Sequence, residues 1–273
     1  MYKRRVPRPS AVAMATGTGT ALLGLLLGLA VQGQGHAGSA GPKEQAQAQQ
    51  QEERRAERKA REKAEPKPTA RSISHGVEGD FRNVALTLDD GPHPVWTPKV
   101  LDLLDSYGIK ATFCLIGPNA EANPGLVRRI VDEGHRLCNH SVHHDTAMDQ
   151  GEDGKAQAYR ESEIRDARRM IDKASGGAPV PYYRAPGGAF TPDSRHYAAA
   201  HGMRPLGWTA DSNDWRLPGT ATIVRTVQQQ VTTGAQVVLL HDGGGDRAQS
   251  YDALRQLIPW FKGEGYGFTF PEG

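Results

Sequence analysis

The chain has 273 residues, with 33 Lys and Arg against 31 Asp and Glu and a formal net charge of +2. Near-neutrality at this length argues against a dedicated nucleic-acid surface, and the length allows one sizeable domain with appendages. The charge is spread unevenly, and that unevenness divides the chain into three regions.

Lys3, Arg4, Arg5 and Arg8 precede residues 11–31 (AVAMATGTGTALLGLLLGLAV), which carry no charge, and small residues follow at 37–40. A basic start, a Leu-rich apolar run and small residues read as a secretory signal over 1–40. The same run is nearly long enough to stay uncleaved as a membrane anchor through residues 11–31. Either reading puts the rest of the chain outside the cytoplasm, secreted or at the outer face of the membrane or cell wall. Residues 41–79 are rich in Gln, Ala and charge and nearly free of large apolar side chains, so they predict a disordered spacer. A coiled coil is the alternative, but Ala is the only residue available for its seam. The working domain is expected over 80–273.

Within that domain strand-like and helix-like runs alternate. NVALTLDD (83–90) reads as a strand, WTPKVLDLLDSYG (96–108) as a helix, KATFCLIG (110–117) as a strand and NPGLVRRIVDEG (123–134) as a helix. HRLCNH (135–140), a helix at 157–174, PYYRAP (181–186) and a helix opened by Thr191-Pro192 follow. MRPLGW (203–208), a helix at 220–233, QVVLLHD (236–242) and a last helix from 249 complete the series. Short apolar strands between amphipathic helices predict an α/β fold with a parallel sheet. About seven repeats suit an incomplete or distorted (β/α) barrel with outer helices. Cys114 and Cys138 both lie in strand-like runs, where an exported protein carries either a disulfide or two buried thiols.

Polar residues collect where the strands end. Asp89 and Asp90 close the first strand, His140 follows HRLCN, Arg184 follows PYY, Asp211 and Asp214 follow LGW, and His241 closes VVLL. Parallel β/α folds gather the loops at these strand ends into one site. Asp-Gly-Pro is also ordinary turn chemistry, but two adjacent carboxylates repel unless a cation or a shared proton lies between them. The segment GHRLCNHSVHHD (134–145) offers His140, His143 and His144. Helical spacing allows either an i,i+3 or an i,i+4 pair to clamp one ion. Two His and one carboxylate form a set suited to a divalent cation with one position left open, and the spare Asp is then free to act as a base toward water.

Five segments in sequence order resemble the motifs of the polysaccharide deacetylases of carbohydrate esterase family four, whose catalytic unit is the NodB-like domain. TLDDGP (87–92) is similar to the family's TFDDGP, HSVHH (140–144) to its His-Ser/Thr-x-x-His, and RAPGG (184–188) to its Arg-x-Pro. DSNDW (211–215) is similar to Asp-x-x-Asp-Trp, and LLH (239–241) to Leu-x-His. The resemblance implies Asp89 as base and Asp90, His140 and His144 as ligands of a divalent metal, zinc first, with cobalt or nickel also accepted by such a set. It implies His241 as general acid, Arg184 as the brace of Asp89, Asp214 as the partner of His241, and Trp215 and Leu239 as walls of the acetyl pocket. Gly187 departs from the family, which places an aromatic residue there. Its N–H remains available to an oxyanion, and the missing ring is expected to open the groove. The implied activity is removal of acetyl from N-acetylated sugars of an acetylated polysaccharide, peptidoglycan or chitin-type oligomers. An acetylxylan esterase and a non-catalytic carbohydrate-binding relative are the alternatives.

Overall fold

The computed structural model describes residues 67–148, 150 and 154–273, so the expected leader or anchor at 1–40 and most of the expected spacer lie outside the described residues. Strand β1 (Asn83–Asp89) is buried along nearly its whole length, as a central parallel strand covered on both faces must be. It neighbours β2 (Thr112–Leu115) and then β3 (Arg136–Asn139), β4 (Tyr182–Tyr183) and β5 (Arg204–Pro205) on one side. On the other side lie β7 (Val237–His241) and β6 (Ala210–Asp211). Every pairing in this row is parallel, and β8 (Gly267–Phe268) runs beside Asn83 and Val84. The seven-strand row curls into a half-barrel that stays open between β5 and β6.

Around it pack α1 (Trp96–Ser106), α2 (Gly117–Ala122), α3 (Pro124–Asp132), α4 (Gly154–Ser175), α5 (Pro192–Ala200), α6 (Thr220–Thr232) and α7 (Ala248–Gly263). Their inner faces follow helical spacing: Thr97, Val100, Leu101 and Leu104 are the buried residues of α1, and Ile223, Val224, Val227 and Val231 those of α6. A capping box of Thr191 and Ser194 starts α5, with Pro192 just inside it. Elements α2, β6 and β8 were not expected, each too short to show a period. The run MRPLGW makes only the two-residue β5, which stops at Pro205, and β6 begins beyond the run at Ala210. Gly207 lies in the break, where a Cβ would collide with the ring of His75 as the N-terminal segment crosses.

That segment shows the boundary expected at 80 to be too late. Thr69 N–H donates to Ala199 O, Ser74 N–H to Pro205 O, and Gly207 N–H returns to Ser74 O, at 2.8–2.9 Å. Glu78 N–H reaches Phe270 O at 2.9 Å, and Val77 is buried. These residues are ordered by long-range bonds that no local pattern announces. Among the described residues no helix is long and apolar enough to cross a membrane.

The alternation of side chains along the strands separates core from site. Val84, Leu86 and Leu88 of β1 and Val238 and Leu240 of β7 face the helices. Ala85, Cys114, Cys138, Tyr182 and Val237 face the barrel interior, where Cys114 and Cys138, in register on β2 and β3, form a disulfide. Counting forward by twos from the interior residues gives Asp89, His140, Arg184, Leu239 and His241. One parity therefore points five functional candidates into one mouth.

Candidate active site

Asp89 and Asp90 diverge because the backbone turns between them. Asp89 keeps the inward parity of β1, and its Oδ1 accepts a hydrogen bond from the Arg184 guanidinium at 2.7 Å. Asp90 adopts φ 72°, a left-handed conformation that costs a non-glycine residue roughly 1–2 kcal/mol. Its carbonyl accepts from Asn119 Nδ2 at 2.9 Å, and Gly243 and Gly244 pack so closely that a Cβ on either would overlap the Asp90 carbonyl or carboxylate. The turn sends Asp90 Oδ1 to within 3.2 Å of His144 Nε2 and 3.5 Å of His140 Nε2.

The two histidines do not meet on a helical turn. His140 ends β3, and the chain then bends through Ser141 (φ 67°) and His144 (φ 52°), bringing the two rings edge to face at 4.9 Å. His143 turns outward, with its side chain 70% exposed, so His144 is the one that joins His140. His140 Nδ1 lies 2.8 Å from Arg184 O, which can only accept, so Nδ1 carries the proton and Nε2 presents a lone pair. Burial lowers the His140 pKa against the opposing pull of Asp89 and Asp90 and keeps the ring neutral. Asp90 Oδ1 is buried without a hydrogen-bond partner. An acceptor oxygen facing an imidazole lone pair repels it unless a cation sits between them. The ligand atoms of Asp90, His140 and His144 all fall within 4.8 Å of one another, and this His₂-carboxylate donor set fits a divalent transition cation.

Arg184 is fully buried and has its donors committed: Nη1 to Asp89 and, at 2.9 Å, to Thr87 Oγ1, Nε to Leu206 O at 3.2 Å, and Nη2 to Gly207 O at 2.9 Å. Burial raises the Asp89 carboxyl, but the charge and hydrogen bond of Arg184, with the charge of His241, outweigh it and hold the group below its ordinary value. On the adjacent strand β7, His241 is in register with Asp89, and both oxygens of Asp214 serve it. Oδ1 is 2.6 Å from Nδ1, and Oδ2 accepts the backbone N–H at 2.9 Å. Burial opposes the charged imidazole, yet the bond to Asp214 and its charge prevail, with smaller help from Asp89 and Asp90, and the His241 pKa rises to about 9. Asp214 is correspondingly lowered, the bond to His241 outweighing its own burial. Asp89, Asp90, His140, His144 and His241 all line one cavity of about 260 Å³.

A family model described as polysaccharide deacetylase matches residues 76–206. A peptidoglycan-N-acetylglucosamine deacetylase of Bacillus cereus is 35% identical over 199 residues, covering 72% of this chain and 90% of that protein. The chain belongs to the polysaccharide deacetylase family. A chitooligosaccharide deacetylase of Sinorhizobium fredii is 37% identical over 194 residues, covering 67% of this chain and 87% of that one. The crystal structure of a peptidoglycan N-acetylglucosamine deacetylase, in complex with 4-naphthalen-1-yl-N-oxidanyl-benzamide, superposes with a TM-score of 0.64 at 31% identity, over 72% of this chain and 89% of that one.

Further residues complete the cavity walls of this family member. Leu239 is nearly buried in the lining, while Trp215 is 49% exposed at the rim with the Arg216 guanidinium 4.4 Å over its ring. Gly187 (φ 60°) lines the cavity. The methyl of Thr146, from another loop, lines it too and stands 3.2 Å from where a Cβ on Gly187 would lie. Beside it, a Cβ on Gly188 would come 2.9 Å from the Trp208 ring, whose centroid is 5.7 Å from the Arg184 guanidinium carbon. Thr146 and Trp208 escaped sequence reading, Trp208 because MRPLGW looks like plain core. Asp242 escaped as well. Its carboxylate is buried, accepts from Thr97 Oγ1 at 2.5 Å, and is raised to about 7 by burial first and by Asp90 and Asp89 next. The adjacent His241 had already accounted for that strand end.

Proposed function

We propose that the chain hydrolyses the acetamido group of N-acetylated sugars in an extracellular polysaccharide, peptidoglycan or a chitin-type oligomer, using a divalent cation held by Asp90, His140 and His144. The observation that carries this reading is an arginine-braced carboxylate and a carboxylate-braced imidazole, at paired positions of adjacent strands, lining one cavity. Amide hydrolysis needs both, a base for the attacking water and an acid for a nitrogen that leaves poorly unless protonated. Asp89, kept ionised by Arg184, takes the proton from water. His241, kept protonated by Asp214, gives one to the departing nitrogen. Gly187 offers its N–H to the developing oxyanion, an interaction worth about 10²–10³ in rate where measured in other hydrolases. Trp215 and Leu239 enclose the acetyl methyl. A bound cation supplies Lewis acidity at the acetyl carbonyl and the water, with zinc best matched to the donor set and cobalt or nickel also compatible.

The raised His241 pKa favours an amide over an O-acetyl ester, whose better leaving group has little need of an acid. A non-catalytic carbohydrate-binding relative is disfavoured because no role in this set is vacant. The basic-apolar start of the sequence supports export, and so does the Cys114–Cys138 disulfide, a bond that persists in oxidising compartments. The test is acetate release from peptidoglycan, chitin oligomers and acetylxylan in parallel, with and without chelator. Release from either N-acetylated substrate, abolished by chelator and restored by Zn²⁺ or Co²⁺, is expected. Release from acetylxylan alone would overturn the substrate, and full activity in stripped enzyme would overturn the cation. Fractionation of the producing cells, with the protein recovered outside the cytoplasm, tests export.

A further inference from the structure

The bend that carries His144 has an unusual hydrogen-bond supply. Ser141 and His144 occupy the left-handed region without being glycine, so their conformation needs outside support. Each N–H from 141 to 144 is met by a side-chain oxygen rather than by a backbone carbonyl. Ser141 N–H donates to Asn139 Oδ1 at 2.9 Å and His144 N–H to Ser141 Oγ at 3.1 Å, both within the bend or its strand. The two between them, Val142 and His143, donate at 3.2 and 2.8 Å to one oxygen of Glu163. The other oxygen of Glu163 lies 2.6 Å from His143 Nδ1. Glu163 sits on α4, is only 3% exposed, and supplies the acceptors that tie the bend to a rigid helix. His140 needs no such help. Its N–H donates to Leu115 O at 2.9 Å, and its Nδ1 is held by Arg184 O.

We infer that Glu163 is a positioning residue for the cation site: by accepting the Val142 and His143 N–H groups and the His143 ring, it fixes the bend that aims His144 Nε2 at Asp90. This rests on the reading that Asp90, His140 and His144 hold a divalent cation. It also gives His143 a role, since its ring and backbone both fasten to Glu163 while its neighbour faces the site. Glu163 touches neither ion nor substrate in this account. Its effect is to pre-set one of three ligands, the kind of outer support whose loss typically lowers metal affinity about 10–100-fold.

The test uses the full chain. Zn²⁺ affinity is measured by competition with a chromogenic chelator, the visible spectrum is recorded with Co²⁺ bound, and circular dichroism is taken on the metal-free forms. Glu163→Ala is expected to weaken Zn²⁺ binding at least about tenfold and to alter the Co²⁺ spectrum while its metal-free dichroism matches wild type. Glu163→Gln keeps an oxygen for the two backbone donors and is expected to restore affinity to within about threefold of wild type. Arg165→Ala, an exposed change on the same helix, is expected to leave both readouts alone. Wild-type affinity and spectrum in Glu163→Ala overturn the inference, as does a loss in Glu163→Gln as large as in Glu163→Ala, which would make charge rather than hydrogen bonding responsible. Should Glu163→Ala not fold, Glu163→Asp decides, because its carboxylate is one methylene short of the bend: weakened binding supports the inference and wild-type binding overturns it. Wild-type protein that binds no metal refutes the underlying site instead, a distinguishable result.

Discussion

Replacing Asp214 by Asn probes the proposed acid without changing its shape. Both carboxylate oxygens are spent on His241, one on Nδ1 and one on the backbone N–H, so the amide keeps a neutral acceptor and loses the charge. The rise of the His241 pKa from 6.5 to about 9 corresponds to ~3 kcal/mol in favour of the imidazolium. Once the charge is gone, burial dominates and the imidazole falls to its ordinary value or below. At pH 8 the protonated fraction then drops from about nine-tenths to a few per cent, which lowers kcat/KM on an N-acetylated oligomer ~30-fold. Lowering the pH to 6 recovers much of that loss, because the imidazole again carries its proton. An aryl acetate ester loses less than about threefold at pH 8, since its leaving group departs unprotonated. The assay is a pH–rate profile from 5.5 to 10 on both substrates, at matched metal loading because a bound cation offsets the pull of Asp89 and Asp90 on His241. An alkaline limb that stays in place in Asp214→Asn, or equal losses on amide and ester, would refute the assignment of His241 as a charged acid.

The same raised pKa makes the metal-free chain pH-sensitive. Stabilisation from protonated His241 is complete below about pH 6.5 and lost as pH rises through about 9, so metal-free Tm should fall across that window in wild type and less so in Asp214→Asn. Asp89→Asn should retain the ion and lose about 10²-fold or more in turnover, whereas Asp90→Asn should lose the ion itself; metal content and kcat on the same preparations separate the two. His144→Ala should lose the ion and His143→Ala should keep it, because Glu163 still holds the bend through its backbone donors; metal analysis of both variants decides this. Gly243→Ala puts a methyl group onto the Asp90 carbonyl, so it should cost about 1–3 kcal/mol in unfolding free energy and weaken Zn²⁺ binding, measured by denaturant titration and chelator competition.

What sequence reading recovered and what it missed divide along physical lines. A buried apolar run ended by a polar residue is a local signal, so the placing of Asp89 and His241 at strand ends follows from NVALTLDD and QVVLLHD alone. Where a strand has only two residues, as in β5, β6 and β8, there is no period to read and MRPLGW is misjudged. The joining of His140 and His144 was expected on a helical turn, but two non-glycine residues adopt left-handed backbone instead, and nothing in HSVHH announces that. Glu163, Asn119, Thr146 and Trp208 reach the site from helices and loops far along the chain. Their side chains are ordinary for the elements that carry them, and only tertiary packing reveals what they touch. Residues 69–79 fail for the related reason that their order comes from Ala199, Pro205 and Phe270.

A barrel left open at one seam exposes two strand borders, and both are closed here. Ser74 pairs with the outer side of β5 through Pro205 O and Gly207 N–H. On β6, the side-chain amide of Gln230 takes the place of a neighbouring strand: its oxygen accepts Asp211 N–H at 2.9 Å and its nitrogen donates to Asp211 O at 2.8 Å. Unpaired strand borders are templates on which other chains add, and natural sheets blunt them with a covering segment or side chain. The stretch around Ser74 therefore bears on solubility as well as on folding. A chain shortened to begin at residue 80 would bare the outer side of β5 and is expected to self-associate, while one beginning at residue 67 should stay dispersed at the same concentration.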